Sequence, residues 1–332
     1  MLPFIQLCKI LSNFGFFLTI VINLFFIYLT VYKIKTIYGT YKTMITVFAV
    51  FGVVFAVLKI IAQPFAHNYN GAFVIFSANT WLLQKSHLVF EILQFTVALY
   101  TGFYTAIQAF LAVQFAYRLL TLKNISLAKK FSDLGILAWI WIPFLSASIC
   151  TGLLYVLTYP DEFTDRYLRE EFLKVYDLDL NEIPRFIMIV YNPDNTIRWK
   201  NLSFILAGFF ILGIQYLIII ICGIQMHLAI KNELNNISAP NRKLQKQYFQ
   251  ALIVQTLVPT FLFVLPAIPL LLGPLLDLKW SMQTGFVISL LSIYPPIDSI
   301  AFMVIVHEYR RVINGVTGVL KLASNKISCV TV

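Results

Sequence analysis

Three charged side chains stand inside long apolar runs of this 332-residue chain, and each restricts the chemistry on offer. Asp298 lies in LLSIYPPIDSIAFMVIVHEYRR, just past the Pro295–Pro296 pair, while Lys59 and Glu91 lie in two other such runs. A carboxylate or ammonium in apolar surroundings must be paired or hydrated, and within a membrane such groups mark ligand sites, ion paths or polar switches. Arg118 and the backbone groups freed by Pro295 and Pro296 are the expected partners of Asp298. Lys59 and Glu91 admit two readings: an ion pair rimming a cavity, or separate placement at a membrane interface with the lysine snorkelling. Enzyme chemistry finds few residues. The four histidines, His67, His87, His227 and His307, include no two spaced three or four apart, and no Gly-x-Ser-x-Gly is present. No metal-ligand set or cofactor motif emerges.

Glu91, Gln94, Thr101, Thr105 and Gln108 fall within an arc of roughly 100° on one helix. Polar groups facing lipid have no partners, so this arc is expected to look inward. Its outer half, with Glu91, Gln94 and Thr101 and with Lys59 nearby, is the candidate ligand-binding surface. Helix–helix hydrogen bonding is the structural alternative, and both can hold. Pro259, Pro266 and Pro269 in one apolar run and Pro295 and Pro296 in the next each remove a helix hydrogen bond and suggest hinges. Asp298, Arg118, Pro266 and Pro295 are therefore the candidate switch residues.

The elements that must position these groups are membrane helices. Hydrophobic residues make up 59% of the chain and charged residues 12%, where a soluble domain carries roughly 25% charged. Seven stretches reach the roughly 20 residues a spanning helix needs, near 14–32, 43–63, 88–113, 134–158, 202–224, 249–272 and 282–306. We read an all-α integral membrane protein, a single seven-transmembrane helix bundle over residues 1–332. The first span is expected to act as an uncleaved signal anchor after an outer tail of about a dozen residues. Basic residues number three, four, four and four in the loops after spans one, three and five and in the tail 307–332. That asymmetry predicts an outside N-terminus and a cytoplasmic C-terminus, so the net charge of +10 reports topology and not nucleic-acid binding.

The long loop 159–201 is expected to form a lid with a short helix around Asp165–Tyr176 and a turn at Asn192–Asp194. Past span seven, Tyr309, Val312, Ile313, Val316, Val319 and Leu320 make one helical stripe, predicting an amphipathic helix on the inner membrane surface. Four cysteines show no disulfide framework, and Cys329 in the tail is a palmitoylation candidate or a free thiol.

Several segments resemble one family. Asn23, the Gly-x-Tyr-Lys-x-Met pattern at Gly39–Met44, and Pro64 and His67 in QPFAHNYNGAFVIF are similar to the nematode serpentine chemoreceptors of the Str type. FAYRLLTLKN resembles that family's region after span three, with Leu119 where a tyrosine is usual. TYPDEFTDRYL, the stretch from Arg242 through span six, and YPPIDSIAFMVIVHEYRR, with Ser299 where proline is common, complete the match. The resemblance implies an olfactory receptor in the plasma membrane of sensory cilia, with a small-molecule odorant and a heterotrimeric G protein as partners. The odorant would enter an outer cavity bounded by spans three, five, six and seven. Arg118, Lys129, Lys130, Lys243, Lys246 and Arg310 would line the G-protein cleft, although no acidic residue precedes Arg118 to hold it. The alternatives are a ligand-gated cation channel of odorant-receptor type and, less favoured, a small-molecule transporter. Missing internal repeats weigh against the last.

Overall fold

The computed structural model describes residues 2–35, 37, 39–79, 86–124, 135–232 and 239–315. Lys129, Lys130 and Cys329 lie outside the described residues. Among the described residues six helices are long and apolar enough to cross a membrane, and there are seven spans if a bent pair of helices counts as one. They are α1 (Leu2–Tyr28), α2 (Gly39–Ala62), α3 (His87–Lys123), α4 (Gly135–Leu157), α6 (Trp199–Asn232), the pair α7 (Ala239–Pro259) and α8 (Leu265–Leu275), and the stretch from α9 (Gly285–Leu290) to α10 (Tyr294–Ile305). Helix α5 (Glu162–Tyr176) belongs to the lid.

Several boundaries differ from the expected ones. Helix α1 starts at Leu2, so the expected outer tail is the first three turns of a helix, with Cys8 buried beneath the lid. Helix α3 continues past 113 to Lys123. Its most apolar 18-residue stretch is the most enclosed among the described single-helix spans, 89% of it buried, which is why it tolerates so many polar side chains.

The prolines act differently in the two spans. In span six a π-helical turn, Thr260–Val264, separates α7 from α8, whose axes differ by 42°. In span seven a 3₁₀ turn, Leu291–Ile293, breaks the helix, and Pro295 and Pro296 sit in the first turn of α10. A proline there loses no helix bond, because its N–H would be unpaired anyway. They therefore start a helix and do not kink one.

One end of the bundle is closed by a four-stranded antiparallel sheet, ordered β3-β2-β1-β4. Its strands are β1 (Pro64–Tyr69), β2 (Ala72–Ser77), β3 (Arg185–Ile189) and β4 (Ser281–Gln283), taken from the connections after spans two, four and six. Asn70 and Gly71, both at positive φ, turn the β1–β2 hairpin, the conformation that an Asn-Gly pair favours.

Both faces of the sheet are covered. Phe65, Val74, Phe76, Ile187 and Ile189 pack against Leu168, Phe172 and Tyr176 of α5, while Ala66, Phe73, Ile75, Phe186 and Met188 join the main core of the bundle. Helix α5 spans the expected segment and begins earlier, where Asp161 and Thr164 form a capping box. Beyond a break at Val306, residues 307–315 are helical, with Tyr309 fully buried and bonded to Thr30. The later part of the predicted stripe lies outside the described residues.

Candidate functional site

The expected site residues divide among three levels. At the lid end, Gln94 is buried, donates to the Arg185 carbonyl at 2.6 Å and accepts from the Arg185 amide at 2.7 Å. Its side-chain amide thus pairs with the main chain of β3, an edge strand, as a further strand would. Arg185 in turn makes a two-point contact with Asp165 of α5, at 2.8 and 2.6 Å. Bidentate guanidinium–carboxylate pairs of this kind fix orientation as well as adding attraction. Gln94 thereby ties α3 to β3, and β3 to α5.

The other expected ligand residues stand apart from it. Glu91 is part exposed and accepts from Tyr155 at 3.3 Å, with His87 at 4.0 Å. Thr101 bonds the Val97 carbonyl of its own helix. Lys59 is 3% exposed and donates to the carbonyls of Ile288 and Ser289 at 2.6 and 3.2 Å. A Lys59–Glu91 pair is therefore not formed, since Lys59 turns toward α9 while Glu91 turns toward α4. The sheet lies over the outer end of the region between spans three, five, six and seven: β2 rests on α3 and α8, β3 on α6 and β1 on α9.

The lid also holds a polar cluster that the periodicity of the sequence does not reveal. His67 is buried between Tyr176, whose hydroxyl is 2.9 Å from Nδ1, and Glu171, whose Oε1 is 3.4 Å from Nε2. Ser281 of β4 donates to the same Glu171 oxygen at 2.7 Å. Burial pulls the His67 pKa below its usual value against the opposing pull of the Glu171 carboxylate, and burial pushes the Tyr176 hydroxyl up. On the sheet's other face Asn68 donates to the Leu270 carbonyl at 2.9 Å, tying β1 to span six.

At mid-bundle, Asp298 accepts from Gln255 at 2.9 Å and from Tyr294 at 3.5 Å. Beside it, Ser299 donates to Asn23, and Asn23 donates to the Ala49 carbonyl, joining spans one, two and seven. Asp298 does not meet Arg118. The guanidinium of Arg118 lies between the rings of Tyr41 and Tyr248, 3.0 and 4.1 Å from their centroids, and donates to Gln245 at 3.4 Å. Gln245 and Gln255 are ten residues apart on α7, about 15 Å along a helix axis, so the two charges occupy different levels. Lys243, Lys246 and Arg310 are exposed near this end. Among the described residues no group of three His, Cys, Asp or Glu could hold a metal.

A family model for the serpentine type 7TM GPCR chemoreceptor Str matches residues 8–314. The chain belongs to this family. It is 36% identical to G-protein coupled receptor str-33 of Caenorhabditis elegans over 92% of this chain and 89% of the relative. It is 25% identical to Serpentine receptor class r-10 of the same organism, covering 83% and 80% of the two chains. Serpentine receptor class J-38, also from Caenorhabditis elegans, is 22% identical over 89% and 88%. This Str-family receptor is thus a multi-pass membrane protein of a chemoreceptor family, and no enzymatic activity is associated with that family. The lid strands, which the sequence reading missed, had a legible signal in the Asn70-Gly71 pair between two apolar runs.

Proposed function

We propose that the chain is a chemosensory G-protein-coupled receptor whose lid end faces outside and whose Arg118 end faces the cytoplasm. A small, weakly polar odorant binds at the lid end, and the bound state favours outward movement of span six at its other end. The observation that carries this reading is the Arg118 clamp. One guanidinium from span three is stacked between tyrosines of spans two and six, beside the exposed Lys243, Lys246 and Arg310. Separating Tyr248 from Arg118 would open a basic cleft suited to a G protein.

The π-helical turn and Pro266 in span six, together with the break before Pro295 in span seven, provide the points at which these helices bend. Asp298, Gln255 and Tyr294 form the polar layer between the two ends. A ligand drives the change only through a difference in affinity for the two states. Sensory cilia are the site of action on this reading.

The test is a calcium and cyclic-nucleotide response to an odorant panel in cells expressing the receptor with a promiscuous Gα, with Asp298→Asn in parallel. An odorant response lost on removing the Gα and altered in amplitude by Asp298→Asn supports the reading. Odorant currents that persist without any G protein refute it. An N-terminal glycosylation tag that remains unmodified refutes the orientation.

A further inference from the structure

Between α6 and α7, on the half of the bundle nearer Arg118, a groove of about 420 Å³ opens sideways toward the lipid. One end is closed where the Tyr216 hydroxyl meets Thr260 Oγ1 at 2.8 Å, joining span five to the π-helical turn of span six. Its floor is Phe115 of α3, reached because Gly223 has no side chain: a methyl group there would touch only that ring, at 3.4 Å. Ile220, Ile224, Ile253 and Leu257 form its walls and are themselves exposed. Among the described residues no Lys, Arg, Asp or Glu lines it. Both walls end in cations, however. The rings of His227 and Phe249 lie 6.4 Å apart at the open end and set the level of α6 against α7. From that level Lys231 is four residues further along α6 and Arg242 seven residues back along α7, so each continues the stripe of its wall about 6–10 Å beyond the groove. Arg242 keeps its charge at any physiological pH, and its buried Nε has no acceptor. Among the described residues no carboxylate lies within 4.0 Å of Lys231 or Arg242.

We propose that this groove is a binding site for one anionic glycerophospholipid, with one acyl chain laid over Phe115 and the headgroup at Arg242 and Lys231. The volume is that of a ligand site, roughly 300–1,000 Å³. At about 30 Å³ for each water-sized group, about fourteen methylenes fill it, which is one acyl chain. The length agrees as well. From Leu228 to Ile219 the groove follows about 14 Å of helix, close to the ~15 Å of hydrocarbon in one leaflet. At the open end the Arg242 guanidinium takes two oxygens of the phosphate, and Lys231 selects a net negative headgroup over a zwitterionic one. A headgroup without a chain leaves the apolar floor unfilled. The bound lipid touches both walls and braces span five against span six. This site goes beyond the receptor reading and does not depend on it, although the leaflet that supplies the lipid follows from the orientation proposed above.

The experiment uses the full-length receptor in detergent micelles and counts bound lipid by native mass spectrometry as phosphatidylserine, phosphatidylcholine, cholesterol or glycerophosphoserine is added. One phosphatidylserine is expected to bind at least about fivefold more tightly than phosphatidylcholine, each basic residue contributing about fivefold. Gly223→Leu fills the floor and is expected to weaken that binding about tenfold or more. Arg242→Gln and Lys231→Gln are each expected to weaken it about fivefold and to leave phosphatidylcholine unaffected. Equal retention of phosphatidylcholine means annular lipid only and overturns the proposal, as does wild-type phosphatidylserine binding to Gly223→Leu. Equal binding of glycerophosphoserine assigns a surface phosphate site, and tighter binding of cholesterol assigns a sterol; either overturns it. A dimer that Gly223→Leu dissociates while phosphatidylserine binding is unchanged gives the face to a second copy of the chain and overturns it too. If Gly223→Leu does not fold, the two charge variants decide alone. None of these outcomes bears on the signalling test of the receptor reading.

Discussion

Replacing Gln94 by leucine removes the join between α3 and the free edge of β3 while keeping an apolar side chain of similar size in the gap. The Arg185 amide and carbonyl both lose their partner. Each sits in a buried strand, and an orphaned buried group costs about 1–3 kcal/mol. Together they lower the free energy of opening the lid edge by about 2–6 kcal/mol, or at least about 30-fold in the opening equilibrium. Hydrogen exchange followed by mass spectrometry over residues 185–189 reads that quantity directly, with the strand pair β1–β2 as an internal reference. Gln94→Glu refines the result. It keeps an acceptor for the Arg185 amide but places a second oxygen against the carbonyl, so it is expected to lose the donor half of the join. Exchange at 185–189 that stays within threefold of wild type in Gln94→Leu would refute the join as an anchor of the lid.

Three further outcomes are expected. Burial holds the His67 pKa below its usual value, so the unfolded chain binds the proton more readily. Lid stability is then constant above the unfolded value near 6.5 and is lost as pH falls below it; exchange in α5, corrected for its intrinsic pH dependence, should rise between pH 7 and 5, and His67→Phe should abolish the rise. Tyr41→Leu and Tyr248→Leu each remove one face of the Arg118 clamp, worth about 1–2 kcal/mol for a desolvated cation–π contact, and should raise basal G-protein signalling roughly five- to thirtyfold at matched surface expression. A methyl group on Gly102 would overlap Thr151 Oγ1 and meet the Ala147 carbonyl at 2.6 Å, whereas one on Gly152 meets nothing within 4 Å. Gly102→Ala should therefore reduce folded yield by separating α3 from α4, and Gly152→Ala should leave it unchanged.

The bundle was legible because lipid imposes a length and a composition that few other environments require. The arc on α3 was also legible, for Gln94 and Gln108 are buried as its inward direction required. The capped helix of the lid announced itself through a charged amphipathic segment. The sheet did not. Its strands are covered on both faces, so PFAHNY and AFVIFS lack the alternation that marks a half-buried strand, and only the Asn70-Gly71 turn hinted at a hairpin.

Partners were harder to read than positions. Asp298 and Arg118 are both buried and oppositely charged, yet Gln255 and Tyr294 satisfy one while two aromatic faces satisfy the other. Sequence carries depth along a helix only to within a turn or so, and that error is enough to exchange one partner for another. The 3₁₀ turn before Pro295 likewise turned an expected kink into a helix start.

The lid sheet takes its strands from three connections that most of the chain separates. During synthesis the β1–β2 hairpin emerges first and has both edges open. The β3 edge is covered only after span four is made, and the β4 edge only after span six. A nascent chain halted before Ser281 therefore still exposes β1, with the Asn68 and Glu171 contacts to Thr284 and Ser281 unmade. Completion of the sheet is thus a built-in report that six spans have been threaded in the right order. A chain with a misplaced span would display an unpaired strand edge to the quality-control machinery of the compartment into which the lid projects.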